Sequence, residues 1–308
     1  MSVTLEHVTI QYGQLKAVND VSATFPHGST GLLGPNGAGK SSLIKGLLSL
    51  VSIHSGKASI LGKDVAQERK AIRQLIGYMP EDDCLIPGLT GIGMVQYTGE
   101  LSGMSRSDAM QRAHELLFVV GLEEARYRNV ETYSAGMKQR IKLAQALVHD
   151  PELLFLDEPT SGMDPKGRQE MLDLIEDISH RGRMSIVLAS HILVDVERTC
   201  QRVVIMNRGK VLEQGSVEDL RKSYAGTYTV RIEGDQEKFI NALKRAKCVV
   251  QPNGNTLWDV TLPKGKRTDL ILTAAKETRV QIRRLVASVQ TLEDVFVKLI
   301  GEEQHADL

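Results

Sequence analysis

The alternation of apolar and polar residues predicts two opening strands, followed by strands that alternate with helices. VTLEHVTI and VSATF have the period of two that is typical of strands, and STGLLGPNGAGKSSLIKGLLSL has the pattern of an apolar strand, a glycine-rich loop and a helix. A helical period dominates from about Ser107 to His149, and the apolar runs within ELLFLD and MSIVLAS that follow have the length of buried strands. This order predicts an α/β domain with a mostly parallel sheet.

The pattern changes after about Leu220, where a second set of elements begins. YTVRIEG, DQEKFINALKRAK, CVVQPNGNTLWDVTLP, RTDLILTAAKETR and VQIRRLVAS have the patterns of a strand, a helix, a hairpin, a helix and a strand. The resulting βαββαβ order is that of a ferredoxin-like α+β domain. A last helix has apolar residues on one face, at Leu292, Val295, Phe296, Leu299 and Ile300. We therefore expect a first domain at residues 1–218, with a helical subdomain at about 85–150, and an accessory domain at 219–308.

The composition excludes some classes of function. The chain has 308 residues, 42% of them hydrophobic, which is typical of a globular protein with a sizeable core. Its 38 Lys and Arg residues balance 38 Asp and Glu residues, so no overall field favours nucleic acid. No apolar run approaches the ~18 residues of a membrane span, and the N-terminus lacks the pattern of a signal peptide. If the protein works at a membrane, we expect another chain to span it.

Glycine, lysine and serine after the third predicted strand indicate a nucleotide site. Gly34, Gly39, Lys40 and Ser41 match the pattern GxxxxGK[ST] in full, between a strand and a helix. Glycines let backbone N–H groups converge on phosphate oxygens, and the helix N-terminus adds partial positive charge. We expect Lys40 to contact the β- and γ-phosphates and the Ser41 hydroxyl to bind Mg²⁺.

Two adjacent acids follow the apolar run LLFL. Asp157 and Glu158 lie at the C-terminal end of a predicted parallel strand, where the ligands of such sheets gather. Successive residues at a strand end point in different directions, so the two acids can have different roles. We expect Asp157 to bind Mg²⁺ and Glu158 to orient and polarise an attacking water.

Taken in order, GPNGAGKSS, YSAGMKQR, LLFLDEPTSGMD and SH resemble the motifs of the nucleotide-binding subunit of an ABC transporter, over roughly residues 1–218. The resemblance implies a P-loop ATPase core that binds ATP and Mg²⁺. It also implies that the loop around Ser134 and Gly136 binds ATP held by a second subunit, which explains why this loop carries no catalytic group of its own. The implied nucleotide contacts are Tyr12, Gly34, Asn36, Gly37, Gly39, Lys40, Ser41, Ser42, Ser134, Gly136 and Asp164.

The same resemblance implies the catalytic and metal-binding groups. Glu158 would be the residue that orients water, and His191 would donate to the γ-phosphate. Mg²⁺ would be bound by Ser41, Glu81 and Asp157. Each of these residues also has an ordinary structural reading, since an isolated histidine or acid at a strand end is more often structural than catalytic.

The chain departs from the family pattern at three positions. The segment YSAGM, residues 133–137, is called the signature loop, and in it Tyr133 replaces leucine and Ala135 replaces glycine. The methyl group of Ala135 keeps the backbone N–H but narrows the allowed φ and ψ. Glu81 stands where the family has glutamine. A carboxylate can still bind Mg²⁺, but it lacks the two N–H donors of the amide and adds negative charge near the γ-phosphate. The alternative is that Glu81 is a solvated acid in the turn EDD.

The signature loop and the closing segment TLEDVFVKLIGEE are similar to those of the ATPase subunits of ABC-2-type exporters. This likeness implies a separately encoded ABC-2-type transmembrane permease as partner, docked near residues 82–104, and a second copy of the chain as the other subunit. It implies a location at the cytoplasmic face of the membrane, held there by the permease, and no nucleic acid partner. The alternative that stays open is a soluble single-cassette ABC ATPase of an assembly or nucleic-acid-associated system.

Overall fold

The computed structural model describes residues 2–180, 184–224, 226–253, 257–263, 266, 268–287 and 291–306. The chain divides into two units, Met1–Ser216 and Val217–Leu308. The strands of the first unit are β1 (Val3–Tyr12), β2 (Leu15–Phe25), β3 (Ser29–Leu33), β4 (Ser55–Ile60), β5 (Lys63–Asp64), β6 (Ile76–Met79), β7 (Leu153–Asp157), β8 (Ser185–Ser190), β9 (Arg202–Asn207) and β10 (Lys210–Ser216). Its α-helices are α1 (Lys40–Leu47), α2 (Arg69–Leu75), α3 (Gly91–Leu101), α4 (Arg106–Val119), α5 (Ala135–Leu147), α6 (Pro165–His180) and α7 (Leu193–Thr199).

A six-stranded sheet forms the centre of this unit, in the order β10-β9-β3-β8-β7-β6. All neighbours pair in parallel except β10 and β9. The strands β3, β7 and β8 are buried along their whole length, as their continuous apolar sequences predict. The sheet confirms the predicted α/β fold and brings the C-terminal ends of β3, β7 and β8 to one edge.

A second, antiparallel sheet has the order β2-β1-β4-β5. Its alternating apolar residues, such as Val8 and Ile10 of β1, belong to the same buried cluster as Leu43 and Ile44 of α1. This cluster holds α1 in place directly after the glycine-rich loop.

The helices α3, α4 and α5 form the helical subdomain, in which α3 packs against both other helices. Each helix begins at a capping hydroxyl that accepts a bond from the N–H of the third following residue, as the preference of Ser and Thr for this position predicts. The caps are Thr90, Ser105 and Ser134. Two short 3₁₀ helices, Glu124–Tyr127 and Val130–Thr132, join α4 to α5.

The second unit has the elements α8 (Val217–Tyr224), β11 (Thr227–Glu233), α9 (Gln236–Arg245), β12 (Val249–Asn253), β13 (Leu257–Thr261), α10 (Asp269–Thr278), β14 (Gln281–Ala287) and α11 (Leu292–Ala306). Its antiparallel sheet has the order β12-β13-β11-β14, which confirms the ferredoxin-like arrangement. Val230 and Ile232 of β11 belong to one core with Phe239 of α9 and Ile271 of α10. The turn of the predicted hairpin, residues 254–256, lies outside the described residues.

None of the helices in the described part of the chain is long and apolar enough to cross a bilayer.

Candidate nucleotide-binding site

The loop between β3 and α1 is shaped by glycines that no other residue could replace without strain. Gly39 has a φ of +101°, and a Cβ there would lie 2.3 Å from the carbonyl oxygen of Ala17. A Cβ at Gly34 would lie 2.4 Å from the carbonyl oxygen of Met206. Because Gly39 is also the N-cap of α1 and has no side chain, it leaves the first N–H groups of the helix free of a side-chain cap. The loop therefore has the form of an anion-binding helix terminus.

Lys40 lies at the junction of this loop with the two strand-end acids. Its side chain is 6% exposed, and Nζ donates to the carbonyl oxygens of Gly34 at 2.8 Å and Pro35 at 3.3 Å. The same Nζ lies 3.5 Å from Oε1 of Glu158. A buried ammonium group thus faces the space where the loop and the end of β7 meet, which is a position suited to an anionic ligand.

Asp157, the last residue of β7, is 1% exposed. Burial and the charges of Glu81 and Glu158 raise its pKa to about 6, against the lowering effect of a hydrogen bond from Ser41. Its Oδ1 is buried and, among the described residues, has no hydrogen-bond partner. A buried, unpaired carboxylate oxygen beside a hydroxyl is the donor set that a hard cation takes, so these residues fit Mg²⁺.

Glu158 has a backbone conformation that is rare for a residue with a side chain. Its φ is +49°, and its N–H donates to the carbonyl oxygen of Ala189 at 2.9 Å. The carboxylate accepts from the backbone N–H of His191 at 3.0 Å and from the Ser190 hydroxyl at 3.4 Å. His191 Nδ1 lies 2.9 Å from Glu158 Oε2. These contacts offset the strain and fix the acid at the edge of the sheet.

A cavity of about 710 Å³ opens in front of these groups. The predicted site residues that line it are Tyr12, Asn36, Gly37, Gly39, Lys40, Ser41, Ser42, Glu81 and Glu158. The sequence interpretation missed six further lining residues, which are Leu15, Lys16, Ala17, Ala38, Arg208 and Gly209. Leu15–Ala17 come from β2, and Arg208 and Gly209 follow β9, so only the folded sheets bring them to the loop.

The signature loop lies outside this cavity. The exposed Ser134 caps α5, and its Oγ accepts from the N–H of Met137 at 3.3 Å. Gly136 is half-buried, Asp164 is exposed, and neither residue lines the cavity within the described chain. Tyr133 is buried, and its hydroxyl donates to the carbonyl oxygen of Ala125 at 2.7 Å. The tyrosine that departs from the family pattern therefore has a structural role.

Comparisons with known proteins show which family the chain resembles. Residues 18–161 match the ABC transporter family, and residues 215–300 match the C-terminal domain of DrrA1-3-like ATP-binding proteins. The chain is 33% identical to the linearmycin resistance ATP-binding protein LnrL of Bacillus subtilis, over 96% of this chain and 97% of that protein. It is 30% identical to the daunorubicin/doxorubicin resistance ATP-binding protein DrrA of Streptomyces peucetius, over 94% and 89%. A solved ATP-binding subunit of an ABC transporter is 28% identical, with a TM-score of 0.65 over 73% of this chain and 93% of that one.

Proposed function

The chain belongs to the ABC transporter family as one of its ATP-binding proteins, and on this premise we propose that it pairs with a second copy around two Mg-ATP and drives export through a separately encoded ABC-2-type permease. As a member of this family it is an ATPase. The observation that carries the proposal is the separation of the exposed signature loop from the nucleotide cavity of its own chain. A second chain facing the first would bring its Ser134 to the nucleotide.

The chemistry needs little from the protein beyond positioning and charge. The first turn of α1 and Lys40 bind the phosphates, while Tyr12 stacks on the base. Glu158 orients water for in-line attack on the γ-phosphorus, and the ADP oxygen leaves on the opposite side. Ser41, Asp157 and Glu81 would hold Mg²⁺, which neutralises charge on the β- and γ-phosphate oxygens when bound.

The second subunit completes the site. Ser134 and Gly136 of one copy contact the γ-phosphate bound by the other through a hydroxyl and a backbone N–H, and Asp164 meets the partner's phosphate loop. All three lie at least partly at the surface, which supports a role between chains. ATP then acts as the link that closes the dimer, and hydrolysis reopens it.

We place the docking site of a permease helix in a groove of about 430 Å³ next to the Glu81 loop. Its lining mixes apolar and polar residues from several elements: Lys45, Leu50, Tyr78, Pro80, Asp82, Cys84, Thr98, Lys142, Gln145, Ala146 and His149. Leu50 in the lining is 58% exposed, and three apolar residues within three positions of the lining residues Cys84 and Thr98 are also exposed, namely Ile86, Tyr97 and Leu101. Exposed apolar side chains around a groove are typical of a surface that receives an amphipathic helix. Docking there would place the chain at the cytoplasmic face of the membrane.

The test is to isolate the tagged chain from gently solubilised membranes of its own cells and identify what copurifies. A polytopic membrane protein in stoichiometric amount supports the proposal, and Leu50→Asp should abolish its recovery while the purified variant keeps its ATPase activity. Phe118→Asp is the control, because Phe118 is similarly exposed on α4 but lies outside the groove lining. Recovery only in the soluble fraction, with scaffold or nucleic-acid-binding proteins, would overturn the export function and favour an assembly or nucleic-acid-associated ATPase.

A further inference from the structure

A buried lysine lies in α5, the helix that begins at the signature loop. Lys142, in the run IKLAQAL of α5, is 2% exposed. Its Nζ donates to three consecutive carbonyl oxygens, those of Pro80 at 2.9 Å, Glu81 at 2.8 Å and Asp82 at 3.4 Å. One side chain thus joins the helix that begins at the signature loop to the loop that carries Glu81.

Burial of an ammonium group is energetically unfavourable unless its N–H groups find hydrogen-bond acceptors. Burial of the ammonium group disfavours its charged form and lowers the pKa of Lys142. Hydrogen bonds from a charged donor are stronger than neutral ones, and three acceptors use all three N–H groups of the ammonium. Three carbonyl oxygens directed at one point repel each other, so the lysine is also what keeps this turn of the loop closed.

The turn Pro80–Asp82, which Lys142 binds, lies between the nucleotide cavity and the groove that we assign to the permease. Glu81 lines the nucleotide cavity, whereas Pro80, Asp82 and Cys84 line the groove beside it. Lys142 contacts the backbone between them. A shift of this turn would therefore move lining residues of both the nucleotide cavity and the groove.

We propose that Lys142 is a positioning residue that fixes the Glu81 loop to α5, so that loop and helix move as one body and Glu81 meets the nucleotide at a set place. The inference deepens the proposed function and rests on the role of Glu81 at the nucleotide. The fixing of the loop itself rests only on the three hydrogen bonds.

The chain offers a matched control one helical turn earlier. Lys138 of α5 also binds this loop, through an ion pair of 2.7 Å to Asp83, but this pair is open to solvent, with side chains that are 32% and 51% exposed. Exposed ion pairs contribute little to stability because water screens them. Lys142→Met removes the buried ammonium group and keeps most of the side-chain volume, and Lys138→Met removes the exposed one.

The loop carries its own reporter for the first measurement. Cys84 is exposed, whereas Cys200 and Cys248 are buried. In the full chain, Lys142→Met should make the Cys84 thiol react with an aromatic disulfide reagent about five- to tenfold faster, because a loop that is no longer held to α5 moves away from it more often and then shields its thiol less. Lys138→Met should change the rate by less than about twofold. Lys142→Gln, which keeps an N–H donor in less volume, provides a second variant with an intermediate rate if Lys142→Met does not fold.

The second measurement separates positioning from general stability. Lys142→Met should lower kcat for Mg-ATP by about tenfold, since a misplaced ligand costs preorganisation. In a Glu81→Ala background the same substitution should cost less than about twofold, because the group that Lys142 places is already absent.

An unchanged reaction rate of the Cys84 thiol in a folded Lys142→Met or Lys142→Gln variant would overturn the proposal that Lys142 fixes the Glu81 loop to α5. An equal loss of kcat in both Glu81 backgrounds would overturn the link to Glu81 and leave Lys142 as part of the fold. If the unaltered chain does not hydrolyse ATP, the proposed function fails, and the thiol measurement still decides whether Lys142 holds the loop.

Discussion

His191 binds Glu158 twice, through its ring Nδ1 at 2.9 Å from Oε2 and through its backbone N–H at 3.0 Å from Oε1. The residue after β8 thus anchors the residue after β7. The two residues therefore act as one unit at the edge of the sheet.

Replacing Glu158 tests the residue that we place against the attacking water. Glu158→Gln should slow hydrolysis by about 10²- to 10⁴-fold while Mg-ATP binding is kept, because the amide is nearly isosteric but cannot accept a proton. Phosphate release and nucleotide affinity measure the two effects. Glu152→Gln, at the exposed N-terminal side of the same strand, is the control and should stay within about twofold of the unaltered rate. Turnover near the unaltered rate in Glu158→Gln would exclude this role.

Replacing His191 tests whether the two residues are one unit. His191→Ala should lower kcat by about 10- to 100-fold, since it removes the ring contact to Glu158 and the group that we place near the γ-phosphate, and keeps only the backbone N–H contact. The double variant with Glu158→Gln should be slower than Glu158→Gln alone by no more than about twofold, because residues that act together are not additive. Steady-state phosphate release is sufficient to measure this. Fully additive losses would mean that His191 acts independently of Glu158.

The sequence predicts the parts of the site that depend on local pattern. Spacing alone places Lys40 at the start of a helix, and the apolar run before Asp157 places that acid at the end of a buried parallel strand. The convergence of the two follows from topology, because the C-terminal ends of parallel strands share one edge. The roles of the individual residues stay predictions until such variants are measured.

Other features depend on contacts between residues that are far apart in the chain, and the local sequence pattern gives little indication of them. The left-handed backbone of Glu158 is stabilised by bonds to β8 and to the residue after it, which no pattern around position 158 indicates. The one available signal for Lys142 is a charged residue inside the apolar run IKLAQAL, and its partners lie about sixty residues earlier. The Tyr133 hydroxyl likewise finds the carbonyl oxygen of Ala125 only after the 3₁₀ turns form.

Asp157 makes the nucleotide-free chain sensitive to pH. Its folded-state pKa is raised from 3.8 to about 6, so ionisation is harder in the folded than in the unfolded chain. The stability that its protonated form contributes is full below pH about 4 and is lost as the pH rises through about 6. Asp157→Asn should therefore stabilise the nucleotide-free protein at pH 8 by on the order of 1–3 kcal/mol, and should have little effect at pH 4, since one unit of pKa is about 1.4 kcal/mol.

Thermal unfolding without nucleotide at the two pH values measures this difference. The control is Asp177→Asn, an exposed acid on α6 that should change the free energy of unfolding by less than about 0.5 kcal/mol. Bound Mg²⁺ favours the ionised form, so Mg-ATP affinity of the unaltered chain should fall as the pH drops below about 6. A destabilised Asp157→Asn protein at pH 8 would show that its carboxylate is favourably paired in the nucleotide-free state.

Subunit mixing tests whether each site is shared between two chains. Lys40→Ala removes the phosphate lysine, Ser134→Ala removes the signature hydroxyl, and each homodimer then carries two defective sites. A mixed dimer has one site with both defects and one intact site, which takes Lys40 from the Ser134→Ala chain and Ser134 from the Lys40→Ala chain. Mixing the two inactive proteins should therefore restore ATPase activity, at up to about one quarter of the unaltered rate if pairing is random and sites act independently. The complementation is specific to a shared site, because a site built within one chain would carry a defect in every subunit of the mixture.

Mixing Lys40→Ala with the double variant Lys40→Ala/Ser134→Ala is the control and should restore nothing. Activity that stays at the level of the separate variants, in a mixture shown by size to exchange subunits, would place Ser134 outside the catalytic site.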